Sequence, residues 1–214
     1  MAKIKTMKIQ IILFLIAGSV CLRVEAQTNS ILSPETSTPT VQTLVCLRHG
    51  EKPKGGLGQL TRRGLNRALA LPKVLLEKYG KPQFVFAPDP IQKVDDNKYY
   101  YVRPLATIEP TAIRCGLPVN TQFGFREIKG LENELQKTNY LGATVFVTWE
   151  HVLLDQFVKD LVKDNGGDPK QVPDWPGGDY DTIFLVKITR AENGNSVAFT
   201  IDHENLNGLS EDCP

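Results

Sequence analysis

Apolar runs and amphipathic segments alternate along most of the chain. TLVCLR (43–48) is apolar without polar alternation, which predicts a strand buried on both faces. Residues 60–80 carry helical periodicity, with Thr61 placed to cap the start, Gly80 to stop it, and Pro72 to kink or restart it midway. FVFAP (84–88) predicts a second strand, and residues 103–116 a helix with an internal Pro110 that closes on Gly116. TVFVTW (144–149) reads as a third strand. The helix expected over 152–167 places Leu154, Phe157, Val158, Leu161 and Val162 on one face. Two further strands, 182–189 and 196–202, flank Glu192-Asn193-Gly194-Asn195, and Asn-Gly between apolar runs signals a hairpin. Three strand–helix units followed by a hairpin imply an α/β sandwich: a mainly parallel central sheet, helices on both faces, and antiparallel strands at one side.

The two ends of the chain modify this picture. Lys3, Lys5 and Lys8 precede an apolar stretch over 11–20 that is short for a membrane-spanning helix, and Val24-Glu25-Ala26 follows. This is the pattern of a secretory signal peptide over residues 1–26, and it predicts an exported protein, periplasmic or extracellular. Residues 27–42, rich in Ser, Thr and Pro, read as a flexible leader, 43–205 as the domain, and 206–214 as a C-terminal tail. Removing residues 1–26 takes four of 25 cations and one of 24 anions, leaving 21 against 23 and a net charge of −2. A nucleic-acid partner is therefore not expected, and any anion must be gathered by a local pocket. Of the cysteines left, Cys46 sits within an apolar strand and reads as a small core residue, so a bridge, if made, would join Cys115 to Cys213.

In an open α/β sheet, ligands bind outside the carboxyl ends of the strands. Arg48, His49, Glu51 and Lys52 follow the first strand, and Glu150 and His151 follow TVFVTW. Arg103 opens the helix that comes after the second strand and a long intervening segment, 89–102. A neutral imidazole with one nitrogen held by a hydrogen bond is a competent nucleophile towards phosphorus. Phosphoryl transfer further needs cations on the equatorial oxygens and a carboxylic acid for the departing one. Close pairs of zinc ligands are missing, so no metal or cofactor is expected. Asp95-Asp96 reads as a turn and His203 as a bystander.

LRHGEK after a buried strand resembles the histidine phosphatase superfamily, which includes the cofactor-dependent phosphoglycerate mutases. GQLTRRGLNRALAL, VRPLATIEPTA, GLPVNTQFGFREIKG and VTWEH are similar to further elements of that family, in the family's order. The resemblance spans about residues 43–190 and implies a phosphoglycerate mutase-like fold. It makes His49 the nucleophile that forms a phosphohistidine. Arg48, Arg103 and His151 would bind the phosphoryl oxygens, with Lys52 and Glu150 beside them. Lys52 departs from the polar residue or arginine of many members and supplies a point charge in place of a fork. Glu127 occupies the place of the mutase branch's acid. The acid-phosphatase branch keeps an aspartate directly after the second histidine, where this chain has Val152, and Glu150 is the rival proton donor. The expected activity is hydrolysis of small phosphate monoesters. The alternatives are a mutase and a phosphate-ligand or phosphoprotein binding module. Segments 89–102, with Tyr99-Tyr100-Tyr101, and 165–181, with Trp175, are the expected substrate loops.

Overall fold

The computed structural model describes residues 38–213. The segment expected as a signal peptide and most of the expected leader fall outside them. Strand β1 (Thr40–Arg48) begins three residues before the expected start, because Thr40, Val41 and Gln42 already pair with Arg190, Thr189 and Ile188. The remaining elements are α1 (Arg62–Tyr79), β2 (Phe84–Phe86), β3 (Lys93–Val94), β4 (Tyr99–Tyr100), α2 (Arg103–Cys115), β5 (Val119–Asn120), α3 (Ile128–Leu135), β6 (Thr144–Trp149), α4 (His151–Asp164), β7 (Thr182–Ala191) and β8 (Gly194–His203). The main sheet has the order β5-β2-β6-β1-β7-β8. Strands β5, β2, β6 and β1 are parallel, and β7 and β8 close one side as an antiparallel hairpin.

The alternation of side chains along β1 divides the interior into two cores. Leu44 and Cys46 pack with Val145, Val147 and Trp149 against Leu154, Phe157, Val158 and Leu161 of α4. Val45 and Leu47 face the other way, onto Leu71 and Leu75 of α1 and Ile108 and Ala112 of α2. The architecture is therefore a three-layer α/β sandwich, as the segment order implied. Thr61 caps α1 by accepting from Gly64 N at 3.0 Å, and the left-handed Gly116 closes α2.

Several local expectations are corrected. Helix α1 runs without a break through Pro72, which is buried on its core face beside Leu71 and Leu75. The hairpin turn is centred on Glu192-Asn193, one residue earlier than the Asn-Gly signal suggested, since Gly194 pairs with Ala191. Segment 89–102 folds as the small β3–β4 hairpin, turned by Asp95, Asp96 and Asn97 in left-handed backbone. Cys115 and Cys213 are both free thiols. The C-terminal segment lies along the first turns of α1, where Asn66 Nδ2 donates to the carbonyls of Ser210 and Asp212, whereas Cys115 is the last residue of α2, and its neighbour Arg114 shares a groove with the later turns of α1. No helix among the described residues is long and apolar enough to cross a membrane.

Candidate active site

Strands β1 and β6 are parallel neighbours in register, Arg48 opposite Trp149. The pairing continues one step past the strand, because His49 N donates to Trp149 O at 3.2 Å. His49 therefore leaves the sheet beside Glu150 and His151. Helix α2 is tied to the same place. Gly50 N donates to Thr107 Oγ1 (2.9 Å), and that hydroxyl donates to Arg103 O (2.8 Å). Gly50 lies outside the left-handed region. A Cβ there would stand 3.1 Å from Gly64 O, and one on Gly64 only 2.7 Å from Glu51 O. Both glycines serve a close crossing between the His49 loop and α1, which the sequence alone did not reveal.

The His49 side chain is 2% exposed. Its Nδ1 lies 2.7 Å from Gly50 O. A carbonyl can only accept, so Nδ1 carries the proton and Nε2 the lone pair. Burial, together with the charges of Arg103 and Arg48, outweighs the Gly50 carbonyl and the Glu150 carboxylate and holds the imidazole pKa down at about 3. The ring is neutral at any ordinary pH, the state a nucleophile requires.

Two buried guanidiniums flank it. Arg48 Nη1 donates to Gly177 O and Asp179 O, both at 2.8 Å, and reaches Pro176 O at 3.4 Å. Its guanidinium carbon stands 4.0 Å from the centre of the Tyr180 ring. Arg103 Nη1 donates to Gly56 O (3.1 Å) and approaches Asp95 Oδ2 at 3.4 Å. The Nε of each arginine is buried and has no hydrogen-bond partner among the described residues. Leaving a buried charged donor unpaired is costly, and native proteins keep few such groups outside functional sites. Two of them beside one imidazole leave unused cationic donors of the kind that suit an anion.

Glu150 caps α4, its Oε2 accepting from Leu153 N at 3.0 Å, while its Oε1 lies 2.6 Å from His151 Nδ1. The His151 ring thus lies directly against the carboxylate. Burial favours protonation of Glu150, but His151 and the backbone N–H groups of Leu153 and Val152 override it and pull the pKa to about 2. Strand alternation does not part Glu150 from His151, since β6 has ended and α4 begins between them.

The structure places the other proposed groups further out. Glu127 is exposed and turns its carboxylate back onto Gly124 N at 2.6 Å. Its loop borders the site, as Phe125 packs edge-on to Tyr101 with ring centres 5.0 Å apart and Phe125 O accepts from Trp149 Nε1. Glu150 contributes to the field at His49. Lys52 is exposed and makes no hydrogen bond or ion pair with another described residue. Glu51 takes a hydrogen-bonding role, paired through both oxygens with the buried Arg67. No group of three His, Cys, Asp or Glu side chains among the described residues is arranged to hold a metal ion.

Sequence reasoning named Tyr101 only as part of a run in an expected substrate loop, and it missed two contributors, Tyr180 and the backbone of residues 176–179. Tyr101 presents its edge to His49, ring centres 6.0 Å apart, and its face to Arg103, 4.8 Å from the guanidinium carbon. Tyr180 lies 6.2 Å from the imidazole as well as over Arg48. Residues 176–179 hold Arg48 through backbone carbonyls, which no side-chain pattern could announce. Aromatic residues in the two expected substrate loops were the available signal, but it drew attention to Trp175 in the second loop. Trp175 anchors that loop, packing on Phe184 and donating from Nε1 to Asp179 O.

No protein-family model matches the sequence, and no curated protein matches it. Solved structures do. One is described as a phosphohistidine phosphatase, SixA, of Nakamurella multipartitia, with a TM-score of 0.53, 16% identity and coverage of 76% of this chain and 96% of that one. Another is described as mycobacterial hydrolase 2, with a TM-score of 0.50, 15% identity and coverage of 74% of this chain and 89% of that one. At this identity the likeness concerns the fold alone, the three-layer α/β sandwich described above.

Proposed function

We propose that the chain is a phosphatase of the histidine phosphatase type, hydrolysing small phosphate monoesters through a phosphohistidine on His49. The carrying observation is the buried imidazole whose Nδ1 is engaged by Gly50 O, set between two buried arginines with unpartnered Nε groups. Arg48 and Arg103 receive the phosphoryl oxygens, and His151 contributes its ring from the β6 side. Nε2 of His49 attacks phosphorus, the bond to the ester oxygen breaks, and that oxygen leaves with a proton as the alcohol. Water then attacks the phosphohistidine, restoring His49 and releasing phosphate.

Glu150 is our choice for the proton carrier, in preference to Glu127, because it shares the field of His49. It is ionised in the ligand-free protein, which suits it to take a proton from the attacking water. An incoming phosphate dianion raises its proton affinity by like charge, which suits it to deliver a proton in the first half. Fold likeness to a protein described as a phosphohistidine phosphatase supports the phosphate chemistry. The basic and apolar pattern of residues 1–26 supports an exported enzyme.

The test is hydrolysis of an aryl phosphate by the purified protein and by His49→Ala. The wild type should turn over and the variant should fall to background. Equal rates would remove His49 from the mechanism.

A further inference from the structure

Tyr101 is fully buried, and no described residue accepts a hydrogen bond from its hydroxyl, although Arg103 lies close enough to donate towards the oxygen. The phenol lies in the joint field of Arg103, Glu150 and Arg48, the same three groups that act on His49. Arg103 can only donate, so its nearness leaves the phenolic proton without an acceptor. Burying a hydroxyl whose proton has no acceptor is unfavourable. Phenylalanine would fill the same space and avoid that cost. The ring's packing, edge-on to His49 and against Phe125, needs no hydroxyl.

We infer that the Tyr101 hydroxyl is a substrate-binding group of this site, donating a hydrogen bond to an oxygen of the bound phosphoryl group. The acceptor missing from the protein arrives with the ligand. Arg48 and Arg103 supply charge, and Tyr101 adds a neutral donor whose direction is fixed by a ring clamped between Phe125, His49 and Arg103. Burial keeps the phenol protonated, so it stays a donor across the working pH range. The inference rests on the phosphatase reading above and adds to it a contact that the sequence motifs do not contain.

Tyr101→Phe tests it, with melting temperature, kcat/KM for an aryl phosphate and inhibition by orthovanadate measured on the same preparations. The expected result is a melting temperature equal to or above the wild type's, with kcat/KM and vanadate affinity each reduced about 10- to 100-fold, the range for a hydrogen bond to a charged group. A purely structural hydroxyl would instead lower stability and activity together. That outcome overturns the inference, as does a variant within twofold of the wild type in both kinetic readouts. His49→Ala run in parallel separates the two claims. If it is inactive while Tyr101→Phe is unaffected, only the tyrosine contact falls. If it remains active, the phosphohistidine reading falls first.

Discussion

Glu150 engages two groups at once, the Leu153 N–H that starts α4 and the His151 ring. A structural cap and a proton carrier make different demands on this side chain, and glutamine separates them. Its amide oxygen can still cap the helix, but it cannot exchange a proton. Glu150→Gln should therefore keep its melting temperature while losing turnover, and the loss should depend on the leaving group. An alkyl phosphate, whose departing oxygen needs a proton, should lose about 100-fold or more in kcat/KM. A nitrophenyl phosphate, whose leaving group is stable as the anion, should lose much less. Glu127→Gln should leave the ratio between the two substrates unchanged. A ratio altered by Glu127→Gln and untouched by Glu150→Gln would reverse the assignment.

At the scale of elements, the site depends on how closely the His49 loop crosses α1. Substituting Gly64 by alanine should gain about 1 kcal/mol in helix propensity. The new Cβ would meet Glu51 O at 2.7 Å and Glu51 N at 3.0 Å, both backbone atoms that cannot rotate away. Overpacking of this kind costs about 1–3 kcal/mol, so the steric term wins. Gly64→Ala should lower stability on denaturant titration and, if His49 is the nucleophile as proposed, also reduce kcat, since Glu51 is two residues from His49. The ends of β1 and β6 were legible because apolar runs stop there in charged residues, and a parallel sheet brings such ends together. The wall around Arg48 was not legible. It joins residue 48 to residues 177 and 179 through backbone carbonyls in a segment with no periodicity. The proton carrier was legible only as a choice of two, because where β6 gives way to α4 decides whether Glu150 shares the site with His151.

At the scale of the molecule, Arg67 joins the catalytic loop to the end of the chain. It is fully buried and pairs with Glu51, Asp181 and Glu204, with Asn207 near by. Residues read from the sequence as a C-terminal tail are thus docked against α1, with Arg63 donating to Leu209 O as a further tie. Burial raises the Glu204 carboxyl to about 8 even though Arg67 opposes it. Arg67→Met should lower the unfolding free energy by about 3–5 kcal/mol, the usual cost of stranding a buried charge. A carboxyl with a raised folded-state pKa loses stability as pH rises from its ordinary value through the raised one; the wild type shares that loss up to about 8, and without Arg67 it continues beyond, so the deficit should grow as pH rises past 8. Urea titrations at several pH values measure it, and a constant deficit would mean that Glu204 plays no part. The sheet, both cores and this clamp all hold one imidazole neutral between two arginines, and the central claim is that this imidazole takes up phosphate. Rapid quenching of the wild type during turnover of an aryl phosphate, followed by peptide mass spectrometry under alkaline conditions, reads that event directly. The account predicts one phosphate on His49, absent from His49→Ala. Steady turnover with His49 unmodified at every quench time would contradict it.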